Sequence, residues 1–185
     1  MEKTRNPQSD MALLEARARL LAKPTSEEGD EEGILRLITL LLGEERYGVE
    51  IDLVQEIQPL KEGTWSRVPS TPDFIVGAVN IRGRIYSVMD LGRFLDLPHR
   101  PLSETAHVLL IRGRDKRTDA EMELCVLADD VPEVANIPIT EMQTRQTTVS
   151  DQAREYVRGV TSDMLVILDL KRLLMDPGIV VNDEL

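Results

Sequence analysis

The chain has 185 residues with 33 acidic side chains against 22 basic ones, a formal charge of −11. Nucleic acid and anionic lipid surfaces are bound through clustered Lys and Arg, so a chain this acidic is expected to bind neither. Apolar residues make up 42% but aromatic ones only 3%, so the core of a soluble globular protein has to be assembled here from Val, Ile and Leu.

Residues 1–32 differ from the rest. Asp10 can cap a helix whose apolar positions Met11, Leu14, Ala18 and Leu21 step by three and four, while Arg17 and Arg19 face away and Pro24 stops it. This amphipathic segment reads either as an arm that docks on the chain's own body or as a helix for a partner. Residues 25–32 hold five acids, a Gly and no large apolar group, the composition of a solvated linker. From Gly33 the pattern changes to short β-rich segments divided by turn residues. Strands are predicted at Ile34–Leu42 and, after a turn over residues 43–46, at residues 47–51. Residues 78–82 and 84–89 flank Gly83 as a hairpin. Further strands are predicted at 106–111, 123–128, 156–161 and 164–168, with the basic run 112–119 as a loop. The longest apolar run, residues 37–42, is broken by Thr39 and far too short to span a bilayer, so a cytoplasmic protein with no membrane insertion is expected.

A weak internal repeat runs through these segments. Tyr47-Gly48-Val49-Glu50-Ile51-Asp52-Leu53-Val54-Gln55-Glu56-Ile57 aligns with Leu124-Cys125-Val126-Leu127-Ala128-Asp129-Asp130-Val131-Pro132-Glu133-Val134, and Val88-Met89-Asp90-Leu91 aligns with Ile167-Leu168-Asp169-Leu170, at offsets of 77 and 79 residues. Two matches nearly in register argue for a duplicated module of about 75 residues. Modules of that size with many short strands are most naturally small barrels, and each Asp-Leu tail reads as a short helix, capped by Asp90 or Asp169, that closes one barrel end.

No reacting constellation is visible, so a binding module is the default and no enzyme is expected. Cys125, the single cysteine, lies inside an apolar alternation and reads as a small core hydrophobe; being alone it forms no internal disulfide, as suits a reducing compartment. With only His99 and His107 besides it, no zinc site is completed, and no metal or cofactor is expected. The segment 74–85 is distinctive because Asn80 and Arg82 stand between apolar neighbours, punctuated by Gly77 and Gly83. The glycines can supply a bulge, a tight turn or close backbone approach. Glu56 is the expected partner of Arg82, since guanidinium and carboxylate pair well.

At these residues the chain resembles the CheW family of bacterial chemotaxis coupling proteins. The resemblance rests on Tyr47-Gly48-Val49-Glu50-Ile51 leading into Val54-Gln55-Glu56-Ile57, on Thr71-Pro72-x-Phe74-Ile75-x-Gly77 leading into Asn80-Ile81-Arg82-Gly83, on Asp90-Leu91, and in the second half on Tyr156-Val157-x-Gly159 and Ile167-Leu168-Asp169-Leu170. It implies a mainly β fold of two intertwined, five-stranded SH3-like barrels packed around a hydrophobic groove over residues 33–175, with the repeat boundary near 98–105, short closing helices, the N-terminal helix and linker at 1–32, and a tail at 176–185. It further implies a non-enzymatic adaptor, recruited to receptor arrays at the inner face of the membrane, that joins the cytoplasmic tip of a chemoreceptor to the regulatory domain of a CheA-type histidine kinase. Ile51, Val54, Glu56, Gly77 and Arg82 match the receptor-facing set, supported by Asn80, Gly83 and Asp90; Val54 is then expected to be partly exposed. Ser87 stands where the family commonly has Pro, and Gly92 where Arg often follows Asp-Leu.

Overall fold

A computed structural model describes residues 33–61, 63–98, 100–114, 121–143, 151–176 and 178–179. The N-terminal segment and acidic linker, residues 115–120 and most of the tail lie outside the described residues. The described chain is mainly β: β1 (Ile34–Leu42), β2 (Glu45–Glu50), β3 (Val54–Pro59), β4 (Trp65–Ser66), β5 (Ile75–Ile81), β6 (Arg84–Asp90), β7 (His107–Arg114), β8 (Glu121–Ala128), β9 (Val134–Pro138), β10 (Val157–Val160) and β11 (Val166–Leu168), with short helices α1 (Leu91–Phe94), α2 (Asp151–Arg154) and α3 (Leu170–Leu174). The basic run is not all loop. Arg112 lies opposite Glu123, and Arg114 opposite Glu121, so cross-strand ion pairs carry β7 three residues beyond its apolar stretch. Ile51 leaves its strand for a 3-10 turn, Ile51–Leu53, that leads into β3.

The strands form two curled sheets, in the orders β10-β11-β2-β1-β9 and β3-β7-β8-β6-β5-β4. By the repeat, β7, β8, β9, β10 and β11 answer to β1, β2, β3, β5 and β6. Substituting counterparts, both sheets have one order, apart from β4, which extends the second, and each takes strands from both halves of the chain. Two of the four pairings between halves, β6 with β8 and β2 with β11, are parallel and match in register: Val88 lies opposite Cys125 in one sheet and Ile167 opposite Gly48 in the other, the same pair of repeat positions twice. The amide of Asp90 donates to the Phe74 carbonyl and that of Asp169 to the Tyr156 carbonyl, both at 2.7 Å. Asp90 Oδ1 caps α1 by accepting from the Arg93 amide at 3.1 Å, and Asp169 Oδ1 caps α3 through Arg172 at 3.0 Å, the predicted role of both residues.

Apolar alternation along the central strands serves two buried faces. In β7, Leu109 and Ile111 point into the layer between the sheets, with Ile38, Leu40 and Val49 from the other sheet, while Val108 and Leu110 point inside their own sheet with Cys125 and Leu127. Phe94 joins the halves, its ring 5.3 Å from Phe74 and 5.2 Å from Tyr156. Burial of this order, about 1.5–3 kcal/mol per large side chain, is what holds so aromatic-poor a chain together.

Two glycines let each sheet curl shut. Gly77 and Gly159 both sit where the strand register shifts by one residue. At each, the closing segment crosses where a side chain would be: a Cβ at Gly77 would run into the Ser66 carbonyl oxygen and lie 2.8 Å from Trp65 Cε3, and one at Gly159 would meet Met142. Beside the latter, Gln143 and Val160 exchange backbone hydrogen bonds of 2.9 and 3.0 Å. The obstacle at Gly77 includes backbone, whereas the near one at Gly159 is a flexible thioether chain. Gly77→Ala is therefore expected to cost about 1–3 kcal/mol of unfolding free energy, and Gly159→Ala clearly less; urea denaturation of the two variants measures the difference, and equal losses would contradict this account.

Candidate functional site

The feature least explained by packing is the β5–β6 hairpin and what it touches. Ile81 and Arg84 close a two-residue turn whose central residues, Arg82 and Gly83, have φ of 52° and 84°. Two successive positive φ values define the type I′ turn that matches strand twist. Gly83 adopts it freely, whereas Arg82, as a residue with a Cβ, does so at a cost of roughly 1–2 kcal/mol. The Gly83 amide donates to Asn80 Oδ1 at 2.9 Å, which locks the turn.

Arg82 then reaches across to β3, where its Nε lies 2.9 Å from Glu56 Oε2; the arginine side chain is 73% exposed and that of Glu56 20%. Gln58 Nε2 donates to the other carboxylate oxygen, Oε1, at 2.5 Å. The expected pairing of Arg82 with Glu56 is thus present. With its arginine so exposed to screening by water, the pair is worth about 0.2–1 kcal/mol, no more than the strain at Arg82, so stability does not account for the arrangement.

A second cluster extends this corner along the sheet. Glu123 accepts from Arg112 and lies 3.0 Å from Arg84, whose guanidinium also sits 5.4 Å from the centroid of the Tyr86 ring. Three arginines against two carboxylates make a locally basic spot on a strongly acidic chain. Beneath it Cys125 is buried, and its thiol is pushed up to about 12, by burial first and by the charges of Glu56 and Glu123 next. A thiol so held is no nucleophile at neutral pH.

Beside Arg84, Ile85 is 76% exposed, a large apolar side chain left in water. The sequence carried a signal for it: Tyr86 and Val88 point inward, so Ile85 and Ser87 must point outward. Gln58, Arg84, Arg112 and Glu123 were likewise absent from the predicted set, and only the curl of the sheet brings them to one corner.

The predicted site residues separate into groups. Glu56, Asn80, Arg82 and Gly83 come together at the hairpin. Gly77 serves sheet closure and Asp90 caps α1. Ile51 is buried in the layer between the sheets, and so is Val54, at 2% exposure. The expected exposure of Val54 is therefore corrected: it opens β3 opposite Ile111, with its side chain committed to the shared core. Among the described residues no group of three or more His, Cys, Asp or Glu is placed to hold a metal ion, and no helix is long and apolar enough to cross a membrane.

The geometry is that of a paired-sheet recognition module: a rigid frame that presents one strained, charged corner flanked by exposed apolar surface. The sequence profile of the CheW-like domain matches residues 36–177, and the chain belongs to that family, whose members are non-enzymatic scaffold and adaptor proteins of chemotaxis. It is 27% identical over 155 residues to the chemotaxis protein CheW of Helicobacter pylori, covering 83% of this chain and 89% of that protein. It is also 27% identical over 146 residues to the chemotaxis protein CheW of Klebsiella aerogenes, covering 77% and 83%. The crystal structure of the scaffolding protein TtCheW from Thermoanaerobacter tengcongensis superimposes with a TM-score of 0.63 at 26% identity, over 78% of this chain and 94% of that one.

Proposed function

We propose that this chain couples the cytoplasmic signalling tip of a chemoreceptor to the regulatory domain of a CheA-type histidine kinase. In this reading residues 33–175 are the working unit, held in the cytoplasm and recruited to receptor arrays, with residues 1–32 and 176–185 as appendages. The observation that carries it is Arg82: a side-chain-bearing residue in a left-handed turn, paired with Glu56 and largely exposed, in an arrangement that stability alone does not require. A receptor tip is a helical bundle. Its recognition needs polar groups that fix register and apolar surface to bury. Glu56 and Arg82 supply the first. Ile85 supplies apolar surface beside them, while Ile51 and Val54 act from below by fixing where β3 places Glu56, and Gly77 by setting the bulge that aims the hairpin.

An adaptor transmits a signal only if its contacts differ between signalling states, which corresponds to a coupling free energy of about 1–3 kcal/mol. The direct test is co-precipitation of the purified protein with a receptor signalling fragment and with the kinase regulatory domain. Capture of both is expected, and capture of neither would end this reading.

A further inference from the structure

A second concave surface lies away from the hairpin corner. A cleft of about 630 Å³ opens between the β1–β2 turn on one side and the β4 edge, α1 and the connection that follows α1 on the other. Its floor is apolar, with Leu42, Trp65, Leu97 and Leu127, and the large side chains Val68 and Leu102 stand exposed around it. The volume is that of a binding cleft. Five carboxylates line it against three guanidinium groups; Asp90 pairs with Arg93, while Glu44, Glu45, Asp73 and Asp129 form no ion pair with another described residue, against Arg67 and Arg100 on the basic side, which leaves the cleft net acidic. The occupant such a cleft favours is apolar on one side and basic on the other.

We infer that the cleft is occupied by the chain's own N-terminal segment, residues 11–23. Three observations converge on it. The segment carries an apolar stripe, Met11, Leu14, Ala18 and Leu21, and three basic residues, Arg17, Arg19 and Lys23, against the single acid Glu15, a local excess of positive charge in a chain of net −11. A helix of this length is marginal in water unless its apolar face is packed against something. Reach then selects among the segments of the N-terminal region. Gly33 stands just before one end of β1 and Leu42, at the cleft, at the other, nine residues away or about 30 Å along the strand. The nine residues 24–32 span up to about 30 Å when extended, so they deliver residue 23 to the cleft. The acidic run 27–32 extends no more than about 20 Å from Gly33 and falls short of it. It is left as a tether along the outside of β1.

The chain provides its own reporter, because Trp65 is its single tryptophan and lies half-buried in the cleft. In the full-length protein, Leu14→Asp with Leu21→Asp is expected to shift Trp65 emission to the red and to raise its quenching by acrylamide roughly twofold, as local protection is lost. Val68→Asp, on the cleft side, is expected to do the same, and a synthetic peptide of residues 8–24 added to the Leu14/Leu21 variant should reverse the change. Quenching of the unaltered protein should not depend on its concentration. The inference is overturned if Trp65 is equally accessible with and without the arm substitutions. It is overturned also if shielding appears only on adding a receptor fragment or a kinase domain, which would give the cleft to a partner, or only at high protein concentration, which would give it to a second copy.

Discussion

Cut between Arg100 and Pro101, the chain is expected to yield two halves that are each unfolded alone and that assemble when mixed in equal amounts. The pairings kept within the first half are β1 with β2, β4 with β5 and β5 with β6; those kept within the second are β7 with β8 and β10 with β11. The pairings β1·β9, β2·β11, β3·β7 and β6·β8 all run between halves. Each half by itself is thus a set of loosely connected hairpins and short strands, and isolated hairpins are marginal in water. Each would also expose one side of the apolar layer that Leu109, Val126, Ile38 and Val49 fill together. Far-UV circular dichroism of the separate fragments should show no cooperative melt, and a one-to-one mixture should regain one. Two modules in tandem would behave oppositely, each folding alone, so a cooperative melt from either fragment would refute the exchanged arrangement.

That exchange was implied by the family resemblance, which carries intertwined barrels, but not by the pattern of the residues themselves. The repeat itself was readable: the same positions recur in Asp90-Leu91 and Asp169-Leu170, and both aspartates cap helices as their spacing predicts. Alternation in 106–111 and 123–128 identified strands, but it records which face is buried and not which strand lies at the edge. A repeat read from residues alone therefore points to two barrels side by side. Strands with both faces covered misled in a second way. Val54 looks the same in sequence whether it meets solvent or the neighbouring sheet, and only the opposing Ile111 decides. Arg112 and Arg114 read as loop because their partners, Glu123 and Glu121, are distant until the hairpin forms. At the site, Asn80, Arg82, Gly83 and Glu56 were legible because a charged residue in an apolar strand and a glycine beside it need a local reason. Gln58 and Glu123 needed the curled sheet to bring them to the same corner.

Arg82→Glu is expected to weaken receptor binding by at least about 30-fold while leaving fold and kinase binding nearly intact. Arg82 is largely exposed and the less exposed Glu56 keeps Gln58 as a partner, so loss of the pair should lower folding stability by only about 1 kcal/mol. Gly83 and Asn80 still hold the turn. At an interface the same change is far larger, because a buried carboxylate would face the place where an arginine set the register; losses at such positions run to at least ~2 kcal/mol, or about 30-fold in Kd. Titration calorimetry with a receptor signalling fragment and, separately, with the kinase regulatory domain distinguishes these scales. The exchange Glu56→Arg with Arg82→Glu sharpens the test further. It restores an ion pair across β3 and the hairpin and should recover the thermal stability of the unaltered protein. It reverses the charge at each position, however, and should leave receptor binding weakened. Recovery of binding together with stability would mean that the partner reads only the shape the bridge maintains. Loss of both partners together with a lowered Tm in the single variant would mean that Arg82 belongs to the frame, and the recognition corner would then have to be sought around Ile85 alone.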